Sequence, residues 1–251
     1  MKKISSLLAS LPLITTACGG GGGSDNTASN PTSTAKIDLT PLKGIWSETG
    51  IQTYTSASGK VTTFQAPTAL VTSQEDMIIL TGNSELYVIE AGNDTAHYFS
   101  SFAYSTEITP ETKLTNTKFV FNYYNPKREA NGSVEISADG HYDSILNLDS
   151  LGGTWNDVYN TNNWVFIIDN TDGSFTAERN GPCTASGNLS NIDGTKSELA
   201  VSITFTGCAP LVGTHTGFAW PEEGLPNTLN MAVYSTLDIS GKAIGWKLNR
   251  P

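Results

Sequence analysis

The segment Leu42-Lys43-Gly44-Ile45-Trp46 recurs later in the chain as Leu151-Gly152-Gly153-Thr154-Trp155. Both copies read Leu-x-Gly-x-Trp. Each is followed by a long stretch in which apolar and polar residues alternate between turns rich in Gly, Asn and Asp. Alternation with a period of two is typical of β-strands that bury one face. We therefore expect each copy to form the first strand of a small β unit, the first over residues 39–149 and the second over residues 150–251.

The stretches after the two copies contain about eight strand-like segments each and no convincing helical spacing. The clearest strand is Ser197–Thr206, in which alternate residues from Leu199 to Phe205 are apolar and the residues between them are small or polar. Asp139-Gly140 and Asp172-Gly173 are typical of hairpin turns. The sequence therefore predicts an all-β protein. A single large β-sandwich, in which the two repeats are halves of one core, is the alternative to two separate units.

Gly-x-Trp on a first strand resembles the calycins, the group that contains lipocalins, fatty-acid-binding proteins and avidins. In calycins the Trp closes one end of an up-and-down barrel, and the Gly allows a close backbone approach. The second copy is most similar to the first hairpin of an avidin, on the residues Gly153-Thr154-Trp155-Asn156, Phe166-Ile167, Asp172-Gly173 and Phe175-Thr176. The resemblance implies two tandem small antiparallel up-and-down β-barrels, with Gly44, Trp46, Gly153 and Trp155 at the barrel ends.

The function of avidins does not follow from this resemblance. The positions that match avidin's biotin contacts in this hairpin all hold other residues, namely Asp157, Thr161, Arg179 and Gly181. Lipocalins carry a late Arg stacked over the Trp. Arg250 is placed to serve this role in the second repeat, whereas the first repeat ends without such an Arg. Barrels of this size hold either side chains or one small ligand, so a binding function stays open.

Residues 1–17 are expected to form a secretory signal peptide, because a basic start precedes an apolar stretch too short to span a bilayer. Its end, Thr15-Thr16-Ala17-Cys18, resembles the lipobox of bacterial lipoproteins, although Thr15 stands where that family prefers Leu. The resemblance implies cleavage before Cys18 and acylation of Cys18, with palmitate among the chains. More than one acyl chain gives a stable membrane anchor.

Gly19 follows the acylated position where an Asp would signal retention, so resemblance to sorted lipoproteins implies the outer membrane of the cell envelope, on its periplasmic or its surface face. Residues 18–38 are rich in Gly, Ser, Thr and Asn and have no apolar periodicity. Such a composition is typical of a flexible tether. The chain is therefore expected to be a globular unit held on a membrane through Cys18.

Cys183 and Cys208 remain as one pair in the body of the chain, as expected for one disulfide in an oxidising compartment. The disulfide would stabilise the fold by roughly 3 kcal/mol in the chain-entropy model. The strand pattern places Cys208 on the polar face, so we expect a bulge at Gly207 to turn it toward Cys183.

The formal charge is −10, and it becomes −12 once Lys2 and Lys3 leave with the signal peptide. Nucleic acid and anionic lipid surfaces are bound by clustered Lys and Arg. The charge therefore argues against nucleic acid as a partner.

The sequence contains no nucleophile motif, zinc motif or phosphate loop that would indicate an enzyme, and no cofactor or metal site is expected. His141, Asp143 and Ser144 stand together, but alternation along a strand points Ser144 away from the other two. Asp169 to Gly173 is a hairpin turn by pattern. The segment Trp220-Pro221-Glu222-Glu223-Gly224 is expected to be an exposed loop tip, and Trp220, Glu222 and Glu223 are its candidate partner contacts.

The function expected from the sequence is therefore a non-catalytic binding or envelope-support lipoprotein, with a protein or a small apolar ligand as its partner. A β-sandwich adhesin on the cell surface and an envelope hydrolase with an unrecognised site are the alternatives. A roomy apolar lumen would favour a small ligand, and a filled lumen would favour a surface that binds proteins.

Overall fold

The computed structural model describes residues 37–65, 67–81, 85–115, 118–158, 163–222 and 225–251, which form an all-β protein. The strands of the first sheet are β1 Gly44–Ser56, β2 Val61–Gln65, β3 Thr68–Val71, β4 Met77–Leu80, β5 Leu86–Ile89, β6 Ala96–Ser100, β7 Ala103–Ile108, β8 Pro110–Thr115, β9 Lys118–Asn125 and β10 Ala130–Asp139. The strands of the second sheet are β11 Gly153–Asp157, β12 Val165–Ile168, β13 Ser174–Glu178, β14 Thr184–Asn191, β15 Leu199–Thr206, β16 Gly213–Glu222, β17 Leu225–Tyr234 and β18 Ala243–Asn249. Short 3₁₀ helices span Thr40–Leu42 and Leu148–Leu151. Within the described ranges, no helix has the length and apolar character needed to cross a membrane.

The second sheet is a closed up-and-down barrel, as the sequence predicts for that repeat. Strands β11 to β18 pair antiparallel in chain order, and β18 pairs back to β11 through Asn249 and Asn156. Along β15, the side chains of Leu199, Val201, Ile203 and Phe205 are buried in the lumen, and alternate residues face solvent. Alternation of apolar and polar residues is what a closed sheet with a packed interior requires.

The first sheet differs from the expectation of a second closed barrel, because its hydrogen-bonded path is open. The path runs β7-β6-β5-β4-β3-β1-β10-β9-β8, with β2 on β1, so that β7 and β8 are its two edges. Only Thr109 separates these edges in the chain, and β8 begins at Pro110, which has no backbone N–H to donate. The first unit is a half-barrel whose edges are consecutive segments of the chain.

The two Leu-x-Gly-x-Trp copies have matching backbone conformations. Each follows a 3₁₀ helix and starts the first strand of its sheet. Gly44 has a φ of 152° and Gly153 a φ of 121°, in the region that side chains other than glycine rarely adopt. The glycine of the motif is therefore required by the turn from the 3₁₀ helix into the strand.

Each unit encloses its own apolar core, which argues against one sandwich core shared by both repeats. One cluster of buried side chains fills the half-barrel and a second fills the barrel. A third cluster lies between the outer faces of the two units, and its buried members are Ile45, Leu70, Ile78, Leu80, Leu86, Val88, Phe99, Tyr142, Trp220, Ala232 and Ala243. The two units are thus joined by an apolar interface.

The half-barrel and the barrel lie side by side with matching ends together. We call the end of each unit that holds its 3₁₀ helix and motif Trp the Trp end, and the opposite end the far end. Antiparallel pairing puts Ser73, between β3 and β4, and Glu198, before β15, at the Trp ends, where Ser73 N donates to Glu198 Oε2 over 2.8 Å. At the far ends, Tyr104 N donates to Gly241 O over 3.0 Å.

Glu198 is the polar centre of the interface between the units. It is completely buried and accepts hydrogen bonds from Ser73 and from the Tyr142 hydroxyl. Replacing Glu198 by Ala is expected to lower the free energy of unfolding by about 1–3 kcal/mol, because buried donors lose their acceptor. Tyr142→Phe removes one of these hydrogen bonds and should cost about 1 kcal/mol. Urea unfolding measures both, and a Glu198→Ala protein as stable as wild type would contradict the assignment.

Candidate functional site

The Trp ends of the two units are built in the same way. The Trp46 indole donates from Nε1 to the Leu42 carbonyl over 2.8 Å, and the Trp155 indole donates to the Leu151 carbonyl over 2.7 Å. Both indoles are buried. In each unit, the first strand thus holds a Trp that is hydrogen-bonded to the preceding 3₁₀ helix, so that helix and Trp together close the end of the core.

An Arg completes the Trp end of the barrel. The Arg250 guanidinium lies 4.6 Å from the centre of the Trp155 ring, and its Nη2 donates to the carbonyls of Ser150 and Gly152. This is the arrangement expected from the lipocalin resemblance. In the half-barrel, the Trp46 ring lies 5.7 Å from the Phe119 ring, so an aromatic contact is made there.

The barrel lumen is filled by aromatic side chains that are at most 3% exposed, namely Trp155, Trp164, Trp246, Phe166, Phe175 and Phe205. At its far end His215 is also buried, edge-on to the Phe205 ring at 5.0 Å. Burial lowers the pKa of His215, because desolvation disfavours the imidazolium. These contacts are those of a packed core.

The far end of the half-barrel is closed by a polar cluster instead, which consists of Gln52, Tyr54, Glu85, Tyr87, Tyr98, Tyr123 and Arg128. The Glu85 side chain is 4% exposed, and its Oε1 accepts from Arg128 Nη2 and from the Tyr98 hydroxyl, both over 2.6 Å. Its Oε2 accepts from the Tyr54 hydroxyl and from Gln52 Nε2. A buried carboxylate is therefore compensated by one cation and several neutral donors, as burial of a charge requires.

Burial raises the pKa of every tyrosine in this cluster. For Tyr54, Tyr87 and Tyr98, desolvation is the largest cause, and the charge of Glu85 adds to it. For Tyr123, desolvation outweighs hydrogen bonds from neighbours that would favour the phenolate. All four phenols therefore stay protonated beyond the pH at which an exposed tyrosine ionises.

These shifts predict that the protein loses stability at alkaline pH. Phenols in the unfolded chain ionise near pH 10, whereas the buried phenols keep their protons in the folded chain. Their contribution is complete below pH 10 and is lost as the pH rises toward the higher pKa values of the folded state. Above pH 10, each such tyrosine lowers the stability by about 1.4 kcal/mol per pH unit. The phenolate absorbance of the four cluster tyrosines should therefore rise in one step that coincides with loss of the β-sheet circular dichroism signal.

The urea-unfolded chain is the control for this titration, and its tyrosines should titrate together near pH 10. Tyr234 in the interface between the units offers an internal comparison, because burial, with smaller effects of Glu90 and Asp76, raises the pKa of Tyr234 to about 12. Gradual ionisation of all nine tyrosines near pH 10 in the folded protein would contradict the buried cluster.

The disulfide predicted from the sequence is confirmed. Cys183 and Cys208 are bonded, with their Cα atoms 4.5 Å apart. The expected bulge at Gly207 is replaced by a left-handed residue after the end of β15, because Gly207 has a φ of 69° and Thr206 is the last residue of the strand. Gly207 thus still performs the reorientation of Cys208 that the strand pattern demanded.

The prediction that Trp220 is an exposed partner contact is wrong. Trp220 lies within β16, is completely buried, and donates from Nε1 to the Thr68 hydroxyl of the half-barrel over 3.0 Å. Glu222 is mostly buried and pairs with Lys247. Trp220 is therefore part of a strand and packs against the other unit. Cys18, the signal peptide and Glu223 lie outside the described residues.

The residues weighed for catalysis have separate partners. His141 Nδ1 lies 3.3 Å from Asp139, whereas Asp143 pairs with Lys196, and Ser144 donates to the His141 carbonyl. The expected hairpin at Asp169 joins β12 to β13. Among the residues that the structure describes, no group of three or more His, Cys, Asp or Glu side chains is placed to hold a metal ion.

The sequence interpretation missed the polar cluster at the far end of the half-barrel. The sequence contains a signal for Glu85 as a member of this cluster, because it is an acidic residue directly before the apolar run that becomes β5. The sequence contains no such signal for Arg128, since a basic residue in a turn between strands is normally solvated. A scan of protein-family models and a search of curated proteins found no match to this chain.

Proposed function

We propose that this protein is a lipid-anchored envelope protein of the outer membrane that binds a protein partner through its surface and is not an enzyme. The filled interiors of both units carry this proposal. Aromatic side chains occupy the barrel lumen, and the tyrosine cluster with Glu85 closes the half-barrel. A small apolar ligand needs a cavity of several hundred Å³, and packed interiors leave the outer surface as the place for recognition.

The place where the described chain begins supports an orientation on the membrane. Thr40 donates to Glu75, in the turn between β3 and β4, so the described residues begin at the Trp end. Leu42 accepts the Trp46 indole there. A tether that runs from Cys18 to Ile37 would hold the Trp ends toward the membrane. The far ends of both units would then point away from it, toward a partner.

The distribution of charge sets how closely the Trp ends can approach the membrane. The turns at the Trp ends carry the acidic residues Asp38, Glu75, Asp76, Glu90, Asp94, Asp143, Asp149, Asp169, Asp172 and Asp193. Lys43 and Lys196 pair with two of these residues, Glu75 and Asp143. An acidic end is repelled by an anionic membrane surface within about 10 Å. The protein should therefore stand off the membrane on its tether.

Exposed apolar side chains at the far ends offer a contact surface. Val61, Val158, Val212 and Ile239 are 60%, 51%, 64% and 88% exposed, and all four lie in or beside far-end turns. Loops on a rigid scaffold are where binding residues are concentrated. We assign these far-end turns to partner binding.

We also propose that both units are calycin-like barrels derived from one repeated ancestor. The matching Trp ends support this proposal. Every neighbouring pair on the path of the first sheet is antiparallel, so its edges β7 and β8 run in the same direction. With only Thr109 between them, they act as one bent strand that pairs first with β6 and then with β9. The half-barrel therefore follows the same up-and-down course as the barrel.

The partner proposal is tested by affinity capture of the Ser24–Pro251 fragment with native mass spectrometry. We expect the mass of the disulfide-bonded polypeptide alone, and a complex with one recurrent protein. Val212→Asp and Ile239→Asp should each abolish the complex, whereas Ile145→Asp at the Trp end, where Ile145 is 68% exposed, should leave it intact. A small molecule that co-purifies at one per chain would contradict the proposal.

The anchor is tested separately in the full-length chain. Palmitate labelling and recovery in the outer-membrane fraction are expected for wild type, and both should be lost in Cys18→Ser, since the lipid is attached to that side chain. Unchanged membrane recovery of Cys18→Ser would overturn the anchor while leaving the partner surface to be judged by the capture experiment.

A further inference from the structure

The Glu85 cluster holds the Arg128 side chain in the way that a binding site holds a cationic ligand. The Arg128 guanidinium lies 5.2 Å from the centre of the Tyr54 ring and 5.5 Å from that of Tyr98. Its Nη2 is 2.6 Å from Glu85 Oε1. Aromatic faces and a buried carboxylate are the groups that recognise organic cations in proteins. Glu85 is held in place by the tyrosine hydroxyls rather than by Arg128 alone.

Arg128 enters this cluster from the solvent side. It lies in the turn between β9 and β10, and its side chain is 38% exposed, whereas Glu85 is 4% exposed. The backbone at the next residue, Glu129, has a φ of 48°, which few non-glycine residues adopt. The contacts of Arg128 are thus made by a side chain that reaches down from a short turn at the mouth of the half-barrel.

An unused acceptor lies in the same cluster. Gln52 is completely buried, and its Nε2 donates to Tyr54 and Glu85, but its Oε1 has no hydrogen-bond partner among the described residues. A buried unpaired acceptor is costly and calls for a donor. The Arg128 guanidinium, held by its turn, leaves this acceptor unpaired, whereas a free guanidinium can direct one of its five N–H groups toward it.

We propose that the far end of the half-barrel is a binding cage for a guanidinium group, which Arg128 occupies as a tethered ligand in the resting protein. An incoming guanidinium takes over the contacts with Glu85, Tyr54 and Tyr98 while Arg128 moves into solvent. Because one guanidinium replaces another, Glu85 keeps a cation throughout the exchange, and no uncompensated buried charge is formed. The inference does not depend on the proposed function.

Because Arg128 is covalently attached beside its site, it lowers the affinity expected for any free guanidinium ligand. A ligand joined to its site by a short segment competes at an effective concentration in the millimolar range, which lowers the apparent affinity of any free competitor. Wild type should therefore bind guanidinium compounds weakly. Arg128→Ala should bind them at least about tenfold more tightly, because the competitor has been removed.

Isothermal titration calorimetry of the full chain in detergent with ethylguanidinium, at concentrations too low to denature, tests the cage. Arg128→Ala is expected to show saturable binding, and the double variant Glu85→Gln, Arg128→Ala should show none. Urea, a neutral molecule of similar shape, should not bind to either. If Arg128→Ala does not fold, Arg128→Lys replaces it, since an ammonium fills the site less well and should yield to ethylguanidinium more readily than Arg128 does.

Two further ligands test whether the cage binds a free guanidinium compound or the arginine side chain of a protein. Arginine amide represents the free compound, and the peptide Gly-Arg-Gly represents the side chain, with Gly-citrulline-Gly as its neutral control. Binding of either guanidinium ligand to Arg128→Ala supports the cage and identifies the source that fits its mouth. Equal affinities in wild type and Arg128→Ala, or binding that survives Glu85→Gln, would overturn the proposal. Loss of the partner complex in the far-end variants leaves this result unchanged, so the two proposals fail independently.

Discussion

Trp155→Ala is expected to lower the free energy of unfolding by about 3–5 kcal/mol, the cost typical of removing a large aromatic side chain from a core. The Trp155 indole is 1% exposed and donates to the Leu151 carbonyl. Its removal leaves a cavity at the Trp end, an unpaired buried carbonyl and no ring for the Arg250 guanidinium to cover. Urea unfolding followed by circular dichroism measures the loss.

Trp155→Phe is the matched control, because it keeps an aromatic ring and removes the N–H donor. It should cost about 1–3 kcal/mol, the range for a buried acceptor left without a partner. Trp46→Ala tests the repeat directly, since Trp46 makes the same hydrogen bond to Leu42. Losses below about 1 kcal/mol in both alanine variants would show that the two motifs do not close their cores.

The parts of the fold that were predictable are those with a local signal. The repeated Gly-x-Trp predicted two first strands, and both Trp residues lie on such strands with equivalent hydrogen bonds. The alternation from Leu199 to Phe205 predicted a strand with one buried face, which β15 has. In each case, the residues that carry the pattern also make the contacts, so sequence spacing was sufficient.

The interface between the units left no such signal. Trp220 falls on the outward side of β16, since Ala219 beside it faces the lumen, and an outward residue is normally solvated. It is buried because the half-barrel covers that face, as its hydrogen bond to Thr68 shows. The half-barrel also approaches Gly245 closely, because a Cβ at this position would lie 2.3 Å from Leu80 Cδ1. Packing between units depends on their docking, which single-sequence periodicity does not encode.

The Glu85 cluster was hidden for a different reason. Its members come from four separate strands and two turns, and each alone has an ordinary interpretation as a core residue or a solvated charge. Only the register of β1, β5, β6 and β9 brings the hydroxyls of Tyr54, Tyr87, Tyr98 and Tyr123 to one end of the half-barrel. Function that is built from such convergence requires the three-dimensional structure.

The second large effect is expected from removing the disulfide. Replacing both Cys183 and Cys208 by Ala should lower the free energy of unfolding by roughly 3 kcal/mol, because the unfolded chain regains the freedom of a loop closed over a separation of 25 residues. Alanine suits these positions, since Cys183 and Cys208 are 7% and 4% exposed and a serine would bury a hydroxyl. Urea unfolding of the oxidised wild type and the double variant measures the difference.

Reduced wild type is the control that separates the cross-link from the packing of the sulfur atoms. If loop closure dominates, the reduced protein should lose nearly as much stability as the double alanine variant, whereas a loss confined to the variant would assign the effect to packing around the Cys208 side chain.

The loss of stability should be located in the barrel, because both cysteines belong to its core and join the start of β14 to the segment after β15. Hydrogen exchange should therefore speed up in β14 and β15, and the tyrosine cluster of the half-barrel should keep its protection. Faster exchange in both units alike would show that the interface around Glu198 couples them into one cooperative structure.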